Sequence, residues 1–251
     1  MRTSNPTLSE SAFNRMMQPG PTATGAYVRT DAFTVEGAIY KTALLLAIAV
    51  VTALGTALVV PDELLTAALI GGVVLGLPLV IATTFKPAWA PVTAPLYALV
   101  EGVVLGAVSL IFERAYPGIA VQAAVGTGVV LAVMLTLYRT GVIRVTQRFR
   151  MVVATATGAI FVTYLLSFVL GFFGINFGFL HGNSLLSIGI SAVVIVVAAL
   201  NLALDFDFIE NAANRGAPAK VEWYAAFGLL VTLVWLYLEI LRLLAKLQSR
   251  D

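Results

Sequence analysis

Seven long apolar runs, at about residues 38–60, 64–85, 92–112, 119–138, 151–173, 185–208 and 223–247, dominate the chain. Each has about 20 residues or more, enough at 1.5 Å per residue to cross a hydrocarbon core of about 30 Å. Pro61-Asp62-Glu63, Lys86-Pro87, Tyr116-Pro117-Gly118 and Arg215-Gly216-Ala217-Pro218 separate them, as expected of residues that stop helices and open turns. The runs lack the alternation of barrel strands. The pattern therefore predicts an all-α, polytopic membrane protein, a bundle of seven transmembrane helices over residues 37–251. Residues 1–36 are polar and rich in Ser, Thr, Pro and Gly, which predicts a flexible tail. The first apolar run starts too late and runs too long for a cleaved signal peptide.

Composition supports this reading: 60% of the 251 residues are hydrophobic and 11% charged, with a mean hydropathy of +0.96. Cysteine is absent, which removes disulfides, thiolate nucleophiles and Cys metal sites. The net charge of +2 gives no reason to expect a nucleic-acid partner. Lys and Arg are unevenly shared between the two sets of loops. Arg29, Lys41, Lys86, Arg139, Arg144, Arg148, Arg150, Arg215 and Lys220 fall on one side, and Arg114, Arg242, Lys246 and Arg250 on the other. By the positive-inside rule the N-terminus is cytoplasmic and the C-terminus outside. In the most basic loop, RTGVIRVTQRFR (139–150), Arg144, Arg148 and Arg150 would meet anionic lipid headgroups.

Phosphate cradles, the H-E-x-x-H zinc motif and the G-x-S-x-G elbow are all missing, so no enzymatic activity and no cofactor is expected. His181 is the only histidine and reads as an outside loop residue. The chemistry that remains lies in acids within apolar runs, each costing about 2.5–3.5 kcal/mol on insertion scales. Glu101 falls about 14 Å into the third span, near the midplane, beside the small pair Gly102 and Gly106, which would admit a neighbouring backbone. Asp205, Asp207 and Glu210 end the sixth span. At 100° per residue Asp205 shares a face with Asn201 and points to the interior, while Asp207 and Glu210 read as headgroup-level. Glu239 has Arg242 at i+3 and Lys246 at i+7, so an intrahelical ion pair with Arg242 is one role open to it.

ALDFDFIE, the short hairpin and WLYLEILRLL together resemble the last two transmembrane helices of the Bax inhibitor-1 family, with Leu204-Asp205 and Tyr237-Leu238-Glu239 at the acidic positions. Glu101-Gly102 with Gly106 resembles a motif of that family's third span, and Ser4-Asn5-Pro6 with the basic loop is similar to its bacterial branch. The resemblance runs from Ser4 to Lys246. It implies a pH-sensitive calcium leak in a bacterial cytoplasmic membrane. In such a leak, Asp205 and Glu239 would share a proton when closed and offer oxygen ligands to Ca²⁺ when ionised, with Ca²⁺ and H⁺ as passing partners. Glutamate stands at 239 where the family often has aspartate, and adds one methylene of reach. Because Asp205 is placed near the inner boundary and Glu239 sixteen residues past Trp223, their meeting requires a seventh helix that starts proud of the membrane at Lys220 to Tyr224. Otherwise a base such as Lys86 would serve Asp205. Two other roles fit the same resemblance and spans: a non-transporting regulator of membrane proteins such as an AAA protease, and a proton-coupled solute transporter.

Overall fold

The computed structural model describes residues 32–171, 173, 182 and 184–249. His181 and residues 1–31 of the expected tail lie outside the described residues. Seven α-helices are present among those described: α1 Val35–Val59, α2 Asp62–Phe85, α3 Ala90–Ala115, α4 Ile119–Arg139, α5 Gln147–Gly171, α6 Leu185–Asn214 and α7 Val221–Gln248. All seven are long and apolar enough to cross a membrane. A short 3₁₀ turn, Pro87–Trp89, leads into α3.

The turns form where the sequence places its breakers. Gly118 (φ 86°) opens α4 and Gly216 (φ 62°) turns the chain between α6 and α7, a left-handed conformation that costs glycine little. Two ends differ from the apolar runs. Helix α6 continues to Asn214, six residues past the expected end, because Asp207, Glu210 and Asn211 lower hydropathy without breaking the backbone ladder. Helix α1 begins at Val35, inside the expected tail, because Thr34 caps it: its side chain accepts from the Gly37 N–H at 2.9 Å.

The chain divides into two compact units, residues 1–108 with 205–231 and residues 109–204 with 232–251. In the first unit α3 buries a stripe of small residues, Ala90, Ala94, Ala98, Gly102 and Gly106, with the four-residue spacing of one helix face. A Cβ added to Gly102 would lie 2.6 Å from the Ala49 carbonyl oxygen and 2.7 Å from Thr52 Cβ, and one added to Gly106 would collide with the Ala53 carbonyl oxygen. The expected close backbone approach is thus made by α1. Replacing Gly102 by alanine is expected to cost about 1–3 kcal/mol through overpacking, read as a lower denaturation midpoint in detergent. Gly55→Ala, with nothing within 4 Å of the added carbon, is expected to raise the midpoint slightly, since alanine costs less conformational entropy in a helix.

The start of α1 is also tied to the start of α7. Glu222, buried in the first turn of α7, accepts from the Thr34 backbone N–H at 2.7 Å and the Thr34 hydroxyl at 3.1 Å, and forms an ion pair with Lys41. The Lys41 ammonium lies 5.6 Å from the centre of the Trp223 ring. Beside this cluster the Phe33 N–H donates to the Ala217 carbonyl at 2.7 Å, and Ala32 bridges Pro218. A side chain at Gly37 would collide with the Glu222 carboxylate. Residues 32–36 therefore belong to the fold.

In the second unit α7 is held by polar contacts between helices. Ser109 and Tyr237 share a hydrogen bond of 2.6 Å, and Ile240 packs against α4 at Gly126. Asn201 donates to Thr157 at 2.8 Å, joining α6 to α5. Helix α7 is the most enclosed, with 61% of its apolar window buried against 6% for α5, so its polar residues are the ones most in need of partners.

Candidate ion site on the last helix

Glu239, Arg242 and Lys246 recur at i, i+3 and i+7 on α7, a spacing that stacks side chains on one face. Glu239 is 1% exposed. Its Oε1 accepts from the Arg242 guanidinium at 2.7 Å and from the Tyr164 hydroxyl of α5 at 3.0 Å. Arg242 also reaches the Tyr164 hydroxyl at 3.3 Å and lies 5.4 Å from the centre of its ring. The three groups close a triangle in which each touches the other two. Glu239 Oε2 is buried with no hydrogen-bond partner among the described residues. Two turns on from Glu239, Lys246 donates to the Ser191 hydroxyl at 2.9 Å and the Ser187 carbonyl at 3.3 Å, both on α6.

The Glu239–Arg242 pair is one that its i, i+3 spacing allows. Its side chains are unequally covered, 2% exposed for the acid and 39% for the base, so Arg242 spans from the surface of the unit to an enclosed carboxylate. Tyr164 is a member that the spacing of charges does not reveal. It is the one tyrosine in α5, set in an apolar run, and that solitary phenol is the only trace it leaves in the sequence.

The other acids lie in the first unit. Asp205 is wholly buried, at 0% exposure. Helix α6 runs nine residues beyond it, about 14 Å at 1.5 Å per residue. Asp207 is half-buried and Glu210 exposed, so burial falls off toward the end of the helix. The Asn211 amide donates to the Asp207 carbonyl at 2.6 Å. Glu101 is half-buried and lies one turn after Tyr97 on the same face of α3. Tyr97 in turn packs edge-on against Phe227, with centroids 5.2 Å apart. Lys86 stands over the Trp89 ring at 4.2 Å. Asp205 belongs to the first unit and Glu239 to the second. Among the described residues no group of three or more His, Cys, Asp or Glu could hold a metal ion.

Seven apolar helices carrying enclosed carboxylates define an integral membrane protein of the seven-helix class. The family model described as Bax inhibitor 1 like matches residues 5–249, and the chain belongs to that family. A search of curated proteins gave no match.

Proposed function

We propose that this protein is a proton-sensitive cation leak of a cytoplasmic membrane, permeable to Ca²⁺, with Asp205 and Glu239 as its proton- and ion-binding groups and Glu101 as a secondary acid. The observation that carries the reading is Glu239. It is enclosed in an apolar helix, with one oxygen engaged and the other buried without a partner among the described residues. Ionisable groups so placed in membrane helices mark ion and proton paths, because their insertion is costly and their charge attracts a counter-ion. Asp205, equally enclosed, is the second such group. Ca²⁺ takes roughly six to eight oxygen ligands, and the lack of a three-acid cluster among the described residues suits a passing ion better than a resident one. In this reading the N-terminus is cytoplasmic, and exposed Arg144 and Arg148 with half-buried Arg150 meet anionic headgroups.

Protonation removes the charge that draws a cation in, so flux falls in acid and rises as the carboxylates ionise. The test is Ca²⁺ flux into proteoliposomes across roughly pH 5 to 9, comparing wild type with Asp205→Asn and Glu239→Gln. Each substitution is expected to reduce the flux and flatten its pH dependence. Unchanged profiles in both variants would remove the two acids from the mechanism. No catalytic role is assigned to the Lys246–Ser191 contact: Ser191 is 2% exposed and sits in regular helix, closed to a substrate.

A further inference from the structure

Arg242 stands where a permeant cation would stand. It takes up one oxygen of Glu239 at 2.7 Å, while the other oxygen, equally buried, has no partner among the described residues. The guanidinium is not left to wander: the Tyr164 hydroxyl and ring hold it from α5. We infer that Arg242, steadied by Tyr164, is the specificity-determining group of the Glu239 site. It is a tethered cation that occupies one carboxylate oxygen and sets how well a divalent ion competes for the other. The inference rests on the proposed ion-conducting reading and names what regulates selectivity within it.

The argument is one of charge. Glu239 and Arg242 together carry none, so an arriving ion meets a dipole rather than a full anion. A divalent ion loses more by dehydration than a monovalent one and needs a stronger field to offset that loss. Around the carboxylate the second unit presents Arg242 and Lys246 from α7 itself and the Tyr164 phenol from α5. From α6 the neutral Ser187 and Ser191 oxygens hold Lys246. Among these described groups the formal charges are one acid against two bases. With its side chain 39% exposed, Arg242 has room to withdraw, and its departure turns Glu239 into a full anion.

Removing the tethered charge is therefore expected to favour divalent ions. Purified full-length protein in detergent, titrated with Ca²⁺, should bind about tenfold more tightly as Arg242→Gln than as wild type. The double variant Glu239→Gln/Arg242→Gln should lose that gain, and Arg242→Lys should keep the weak binding of wild type. Tyr164→Phe, which keeps the ring and deletes the hydroxyl, should give a smaller gain of about two- to threefold, and it carries the test if Arg242→Gln does not fold. In proteoliposomes the ratio of Ca²⁺ to K⁺ flux should rise in the same order. Binding by Arg242→Gln no tighter than wild type, or a gain that survives loss of Glu239, overturns the inference. A wild type that conducts no better than protein-free vesicles, with the binding order as stated, overturns the leak and leaves Arg242 as the selector of the site.

Discussion

Replacing Glu222 by alanine is expected to cost about 3–5 kcal/mol, the typical loss when one member of a buried ion pair is removed. Three donors lose their acceptor at once: the Thr34 N–H, the Thr34 hydroxyl and the Lys41 ammonium. Lys41, only 20% exposed, is left as a cation among apolar neighbours. Helix α7 also loses the acid of its first turn, which complements the positive end of the helix. The measurement is the denaturation midpoint of the purified protein in detergent. Lys41→Met alone should also destabilise, since it strands the carboxylate, whereas the double variant Lys41→Met/Glu222→Leu should recover much of the loss. Such non-additivity is the signature of a direct pair. A Glu222→Ala midpoint equal to that of wild type would show that the contact contributes nothing.

The second large effect is expected from Glu239→Asp, a change that keeps the charge and shortens the side chain by one carbon, about 1.5 Å. Contacts of 2.7 Å to Arg242 and 3.0 Å to Tyr164 then stretch beyond hydrogen-bond reach. Partners deprived of a buried acceptor cost about 1–3 kcal/mol, visible as a lowered midpoint. Ca²⁺ binding should move in the direction of Arg242→Gln, by a smaller factor, because the tethered cation no longer neutralises the acid. An unaltered midpoint and unaltered Ca²⁺ binding would show that the extra methylene at position 239 has no role. The length of the glutamate side chain is thus expected to matter for its contact with Tyr164 of α5.

The sequence exposes what is local and hides what is distant. The seven spans are legible because twenty apolar residues in a row have few other fates, and the Glu239–Arg242 pair because three residues on a helix are one turn. Gly102 and Gly106 announce a close approach, although only the fold identifies Ala49 and Ala53 as what approaches. Hydropathy misplaces the end of α6, since a helix that leaves the apolar layer does not stop being a helix. Tyr164 and the Glu222 cluster are illegible for another reason. Their partners lie 75 and 181 residues away in the chain, and a single phenol or carboxylate carries no mark of which distant group it will face.

That last separation governs the order of assembly. Lys41 leaves the ribosome 181 residues before the carboxylate that balances it, with five further apolar helices made in between. Domains and segments fold from the N-terminus as synthesis proceeds, but the first helix of this protein cannot be completed that way. Until α7 is made, the amide and hydroxyl of Thr34 and the ammonium of Lys41 lack the acceptor that Glu222 gives them. A chain that stops before residue 222 therefore lacks the carboxylate that joins Thr34 and Lys41 in the finished fold.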